Sequence, residues 1–549
     1  MKSLLYKIAV ILLVIPACWS CKKQLVEEPR SLLTPQFFNT AQGFQSGLDA
    51  AYAGNRNLWG NEALMTMTTP GTDEFKSGAG GNLDINIYSS GFDASNNWVT
   101  LVWNPCYTFI NDCNGVIDNG STVTGLDANL VKQKVAEAKF LRANYYFLLV
   151  RFFGPVTLST HFVSKPSTSA GRDPISDVYN FIIQDLKDAA AVLSPSPVQN
   201  SLLPGKASAA AATHLLAKVY LTRAYSSAKQ PDDFQNAYNT AKSLIDNSAG
   251  LGLGLLPDFA SVYAEGNESN KEVLWTVQHT PSLAYNGIDN QLNFHYIMGY
   301  ENFPGLTRSM LYGRPFARVE LTRWMSDTCF ADKTLDTRYF KTFQSVWLSN
   351  SAAKIPIVNG QPAYALGDTA IYMPAVDVSD AKIAATRYLL VPPRNYTPQL
   401  YPTMLKYQDT KRAGINDPSV RPVIVYRLAE TYLLAAEAAF NLGDMTNAAK
   451  YVNVVRERAA YPNANPTAMD ITPANVTLDF IFDERARELC GEQTRWLDLV
   501  RANLLLQRVR LHNADAAANI KDKHILRPIP QNQIDRIITG DKYPQNPGY

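Results

Sequence analysis

The segment AETYLLAAEAAFNLGDMTNAAKYVNVVRERA, residues 429–459, restricts the fold more than any other stretch of the chain. Val425, Leu428, Tyr432, Ala435, Ala439 and Leu442 recur every three or four residues and form one apolar stripe along a helix. Gly443 suits the left-handed position that ends a helix, and Asp444 suits the N-cap of the next, whose inner face carries Ala448, Tyr451, Val452 and Val455. Small residues where the two helices meet let their backbones approach closely. The segment therefore predicts a helix-turn-helix pair.

The same pattern recurs upstream. Val131, Val135, Ala138, Leu141, Tyr145, Leu148 and Phe152 make a stripe that Gly154-Pro155 ends, and a return helix is expected from Pro174 to Leu193 with Val178, Ile182, Leu186 and Ala189 inward. An alanine-rich helix over 207–225 and an amphipathic one over 234–245, joined through Gln230-Pro231-Asp232, predict another pair. Pairs of roughly 34 residues with small residues at the contact indicate tetratricopeptide-like stacking. The fold class expected is mainly α, with tetratricopeptide-like helix-turn-helix pairs forming a curved scaffold and a loop-rich insertion containing short strands.

Two regions interrupt the helical pattern. Residues 61–100 are rich in Gly, Asn, Ser and Thr, and residues 281–422 contain many prolines and isolated aromatics. A structureless loop as long as the second is improbable, so it should hold short strands and small helices. Excursions from a rigid scaffold are where binding most often sits.

The first 20 residues carry Lys2 and Lys7 ahead of an apolar run from Ile8 to Ile15, too short to span a bilayer, and read as an export signal. Ser20-Cys21 resembles the lipobox of bacterial lipoproteins, with Cys21 the lipidated residue and Cys18 the alternative; a polar tether, Lys22 to Pro29, follows Cys21. Stable anchoring needs more than one acyl chain. Cys106 and Cys113 lie seven apart on one expected helix, about 10.5 Å, beyond disulfide reach, and read as small core residues. The six histidines are scattered with no metal-ligand spacing, so no metal or cofactor is expected. Lys plus Arg total 51 against 49 for Asp plus Glu, which gives no reason to expect nucleic acid.

Glu484, Arg485, Arg487, Glu488, Glu492, Arg495, Asp498 and Arg501 crowd one stretch. Glu484 and Glu488 have a spacing that a glycosidase pair could use. The alternation of sign at three and four residues instead favours ion pairs, and no catalytic residue is assigned. Glu137, Arg142 and Arg151, with Glu437 and Arg456, are expected in cross-helix pairs that fix packing register. For a sugar ligand, aromatic faces and polar rims are needed. The candidates are Asp73, Tyr88, Asn96 and Trp98 in the first irregular region, and Tyr285, Tyr296, Tyr300, Trp324 and Trp347 in the second. They are chosen by location, because the aromatic content of residues 281–422 barely exceeds the 11% of the whole chain.

Six motifs in order resemble the SusD-like (SusD/RagB) nutrient-binding outer-membrane lipoproteins of Bacteroidetes. They begin with CKKQLVEEPRSLLTPQFF at 21–38, WNPCYTFINDCN at 103–114 and AEAKFLRANYYFLLVRFFG at 136–154. RLAETYLLAAEA at 427–438, ERARELCGEQTRWLDLVR at 484–501 and the pair RPIP at 527–530 with the terminal NPGY follow. The resemblance implies a signal peptide at 1–20 and a single domain over 21–549. Within it would lie the loop-rich segment 61–100, N-terminal helical pairs 128–280, a ligand-binding insertion 281–422, and a C-terminal pair with terminal segment 423–549. It implies a lipid-anchored protein on the outer face of the outer membrane that binds oligosaccharide, performs no chemistry, and delivers its ligand to a SusC-like TonB-dependent transporter. The alternatives are a lipid-anchored glycosidase, and a docking protein or peptide binder without glycan affinity.

Overall fold

Asp444 and Gly443 act as their residue types dictate. In the computed structural model, which describes residues 35–197, 203–463 and 465–549, Gly443 has φ +79°. The Asp444 carboxylate accepts the Asn447 N–H at 3.0 Å, so the Leu428–Asn441 helix turns directly into Met445–Ala459. Their contact is built from Ala435, Ala436, Ala439, Ala448, Ala449 and Val452, and Ala217 and Ala241 of two earlier helices join the same cluster. The expected signal peptide at 1–20 and the lipidation candidates Cys21 and Cys18 lie outside the described residues.

Helices Asn97–Asn119, Ala128–Phe153, Ile175–Ala190, Ala209–Ala224 and Asp233–Asn247 pack one against the next, and the 428–459 hairpin docks on Asp233–Asn247. The result is a mainly helical, tetratricopeptide-like array, continuous in space although the whole insertion separates its last two members in sequence. Gly154, at φ +72°, ends the longest helix as expected. Cys106 and Cys113 are buried free thiols of the core.

Three of the five charged residues expected in cross-helix pairs, Arg142, Glu437 and Arg456, form them, and Glu137 meets its cation from a loop and a hydroxyl from a neighbouring helix. Arg142 grips Asp185 through two hydrogen bonds of 2.8 and 2.9 Å. Glu137 pairs with Lys206 and accepts the Tyr52 hydroxyl, Glu437 pairs with Arg501, and Arg456 with Glu484. Arg151 departs from the expectation: its Nε donates to the Phe147 carbonyl one turn back on the same helix and its guanidinium sits over the Phe147 ring.

The segment 61–100 is polar by composition, yet much of it threads through the interior. Thr66, Thr68, Thr72, Asp73 and Glu74 are buried, and Phe75–Ser77 pairs antiparallel with Val319–Leu321. Side chains satisfy its backbone, as when Asn513 Nδ2 donates to the Thr72 carbonyl at 2.7 Å. Close packing is also set by absent side chains. A Cβ on Gly115 or on Gly47 would overlap the Phe38 ring, so Phe38 fits a notch formed by two helices. Gly115→Val should therefore lower stability by about 1–3 kcal/mol in denaturant unfolding, because neither the ring nor the helices can withdraw without opening a void.

Strands Val273–Val277 and Val423–Arg427 form an antiparallel pair, with Val277 opposite Val423. The chain between them leaves and re-enters the scaffold at one point. This insertion has its own core of Met298, Tyr300, Leu306, Trp347, Ile371, Met373, Val391 and Tyr401. Its sheet places Val346–Leu348 antiparallel to Thr369–Tyr372, which runs parallel to Leu389–Leu390.

Candidate functional site

Six of the nine sequence candidates are interior residues, each with a structural task. Asp73 is completely buried and ion-paired to Arg495 and Arg508. The Tyr88 hydroxyl donates to the Gly71 carbonyl at 2.7 Å, and that of Tyr296 to the Gly491 carbonyl at 2.8 Å. Tyr300 and Trp347 belong to the core of the insertion, and Trp324 stacks on His512 with ring centroids 4.7 Å apart. These six are corrected from surface to interior. Tyr300 and Trp347 are buried because the insertion must bury apolar area of its own to stay ordered, whereas the rings of Tyr88, Tyr296 and Trp324 fill the main core and Asp73 is held inside by its two arginines.

The other three are at least partly accessible. Asn96 is the N-cap of the Asn97–Asn119 helix, accepting the Trp98 N–H at 3.1 Å, and Trp98 is half-buried against the main core. Tyr285 is 78% exposed at the rim of a groove of about 560 Å³ shared with Tyr52, Arg56, Lys206 and Gln278. The structure does not bring these three into one place with the other six.

A different group converges instead. An open cleft of about 910 Å³ lies where the two parallel strands of the insertion begin, lined by Pro362 to Ala365, by Asp368 and Thr369, and by Ala385 to Tyr388. Thr369 opens one strand and Tyr388 directly precedes the other, so the sheet fixes both walls. Buried Trp347 sits on the neighbouring strand and supports the sheet from within. Tyr364 packs over Gly305, where a Cβ would come within 2.7 Å of its hydroxyl, and that hydroxyl donates to the Pro304 carbonyl. The Asp368 carboxylate accepts the Ala365 N–H at 2.8 Å, which holds the loop between the first wall and its strand. Arg387 is exposed and makes no ion pair among the described residues. Two half-buried tyrosines, Asp368, Arg387, Thr369 and Thr386 thus line one open space. Tyr364 and Tyr388 were missed in the sequence because an isolated tyrosine does not announce its exposure. The available signal was Arg387-Tyr388 set immediately before the apolar run Leu389-Leu390-Val391.

The carboxylates of the charged stretch are committed elsewhere. Glu484 and Glu488 are completely buried. Arg338 lies 2.8 Å from Glu484 and 2.9 Å from Glu488, and Arg427 and Arg458 also close on Glu488. Burial alone would raise both carboxyl pKa values. The surrounding arginines outweigh it and hold both well below the usual range, ionised and unable to donate a proton near neutrality. Close by, Glu430 is held by His214, Lys218 and Arg485. These charges form a buried lattice, and the alternation of sign read from the sequence is its imprint.

A helical-repeat scaffold that carries a separately cored insertion with an open cleft defines a mainly helical protein of the tetratricopeptide-like class. The chain belongs to the SusD family, whose sequence model matches residues 223–549. A second model, described as starch-binding associating with outer membrane, matches residues 27–221. SusD-like protein P2 of Formosa agariphila is 27% identical over 99% of this chain and 99% of its own length. Among solved structures, a SusD homologue from Bacteroides thetaiotaomicron superposes with a TM-score of 0.73 at 23% identity, covering 94% of this chain and 98% of that one. A laminarin-binding SusD-like protein gives 0.66 at 23% identity, over 93% of this chain and 100% of that one.

Proposed function

We propose that this protein binds an oligosaccharide in the cleft between Tyr364 and Tyr388, at the cell surface, and delivers it to a SusC-like TonB-dependent transporter while held to the outer membrane through lipidated Cys21 or Cys18. Family membership, the outer-membrane description of the matched family and the laminarin-binding relative support this reading. The observation that carries it is the cleft itself. Tyrosine faces suit the apolar side of a sugar ring, and Asp368, Arg387 and the threonine hydroxyls suit its rim of hydroxyl groups. The cleft is open, buries little of a ligand and excludes little water, so affinity is weak, in the micromolar to millimolar range.

Calorimetric titration of the purified protein with a panel of laminarin-, starch- and xylan-type oligosaccharides tests it. One class should bind, and Tyr388→Ala or Tyr364→Ala should each weaken it about tenfold or more, the loss of one stacking face. If both variants bind as the parent does, the cleft is not the site. A loss confined to Tyr285→Ala would move the site to the groove beside Arg56.

A further inference from the structure

The groove of about 560 Å³ rimmed by Tyr285 holds a cation that is fixed in place but not neutralised. Arg56 Nε donates to the Gln278 carbonyl at 2.7 Å, and Nη1 donates to the carbonyls of Tyr285 and Asn286 at 3.2 and 3.3 Å. Three backbone acceptors thus set the guanidinium plane. Nη2 is left over: it meets no acceptor among the described residues and is not sealed from solvent. Burial lowers the Arg56 pKa with no neighbouring carboxylate to oppose it, and the side chain remains a cation. The lysines on this side are answered, Lys206 by Glu137 at 3.1 Å and Lys134 through Gln45, whose amide donates to the Asp49 carboxylate at 2.7 Å. His279, buried beside Arg56, is pushed down to about 4 by burial and by that charge, so it is uncharged near neutrality.

Around that nitrogen the groove supplies the other parts of a sugar site. Tyr285 is the most exposed of the large hydrophobic side chains among the described residues, and its own carbonyl is one of the three that hold Arg56. A ring kept out of the core at that spot is a free stacking face. Gln278 Nε2 donates to the Thr276 hydroxyl at 2.6 Å, which leaves the amide oxygen as an acceptor with no donor among the described residues. Thr276 lies in the strand Val273–Val277 and Gln278 directly follows it, so a sheet carries this wall; the Ala41–Ala53 helix and the turn after it carry the other. The groove shares no lining residue with the cleft between Tyr364 and Tyr388.

We infer that this groove is a second carbohydrate site, selective for acidic sugars: the anionic group accepts from Arg56 Nη2, the apolar face of the same sugar ring lies on Tyr285, and a ring hydroxyl donates to Gln278 Oε1. Because three carbonyls hold the guanidinium before any ligand arrives, little side-chain freedom is lost on binding. The volume lies within the range of about 300–1,000 Å³ usual for small-ligand sites. A uronate carboxylate and a sulfate ester present the same charge to Arg56.

Calorimetry of the purified full chain in detergent, with digalacturonate against its neutral methyl ester, tests it. Digalacturonate should bind saturably and at least ~10-fold tighter than the ester, the value of a charge-assisted contact made in place of a neutral one. Arg56→Gln should abolish that preference. Tyr285→Ala should weaken digalacturonate about three- to tenfold, the loss of one ring face, and because that ring is exposed it decides the matter if the Arg56 variant does not fold. A sulfated galactose disaccharide that binds tighter than digalacturonate, with the same dependence on Arg56 and Tyr285, would assign the anion to a sulfate ester. The titration of neutral glycans into the cleft is read separately, so the two sites can fail independently. Equal binding of acid and ester, no saturable binding, digalacturonate binding unaffected by Tyr285→Ala, or digalacturonate binding lost in Tyr388→Ala would overturn the inference.

Discussion

Glu488→Ala is expected to destabilise the protein by about 3–5 kcal/mol in denaturant unfolding, because it strips a shared anion from three buried guanidiniums. Arg338 comes from the insertion, Arg427 from the junction of the insertion's closing strand with the 428–441 helix, and Arg458 from the end of the helical hairpin. Glu272, just before the insertion's opening strand, bridges Arg427 and Arg458 at 3.0 and 2.8 Å. Glu488 therefore ties scaffold and insertion together at one atom group. Removing it leaves uncompensated positive charge at low dielectric, where the penalty exceeds any packing loss. Glu488→Gln keeps the shape and removes the charge, and should cost nearly as much. The matching control is Glu301→Ala, which breaks a half-exposed pair with Arg308 and should cost no more than about 1 kcal/mol. Equal midpoints for Glu488→Ala and the parent protein would show that the lattice contributes shape and not stability. Because the lattice sets how the insertion stands on the scaffold, variants that still fold should also weaken any glycan binding at the proposed cleft.

The helical array was legible because its determinants are local. Stripe spacing, Gly154, Gly443 and Asp444 act within a few residues of themselves, and the observed helix limits fall close to those expected over 174–193, 207–225 and 234–245. The alternating charges of 484–501 were legible as ion pairs for the same reason. Their partners were not, since Arg458, Arg427 and Arg338 reach Glu488 from 30, 61 and 150 positions away in the chain. Site residues suffered most. Tyr300, Trp347 and Tyr364 look alike in sequence, but the first two sit inside the second core and the third at its edge beside a cleft, and that difference is made by packing between segments distant in sequence. The segment 61–100 misled in the opposite direction. Its polar residues suggested an exposed loop, and long-range partners such as Arg495 and Asn513 make it an interior strut.

Glu74→Gln is expected to remove a large pH dependence of stability in the alkaline direction. Glu74 is buried beside Asp73, and burial first, with the Asp73 charge adding to it, pushes its carboxyl from 4.5 up to about 8, although Arg495 opposes the shift. Arg495 is largely committed to Asp73, lying 2.6 Å from that carboxylate and 3.5 Å from Glu74. With a folded value above the unfolded one, the native state keeps a proton that the unfolded chain releases. The contribution is fully present below pH 4.5 and is lost as pH rises through about 8. At 1.36 kcal/mol per unit this amounts to roughly 3–5 kcal/mol over the window. The glutamine amide oxygen can still accept the Gly491 N–H that the Glu74 carboxyl accepts at 3.3 Å, so the variant should match the parent near pH 5 and exceed it near pH 8.5. Subtracting the two stability profiles isolates Glu74 from Glu320 and Asp112, whose carboxyls burial also raises to about 7. Parallel profiles would mean that Glu74 is ionised in the folded protein. The position gives the effect functional reach: the Gly491 carbonyl accepts the hydroxyls of Tyr296 and Tyr407 from the insertion, so a charge formed at Glu74 strains the turn on which the insertion rests.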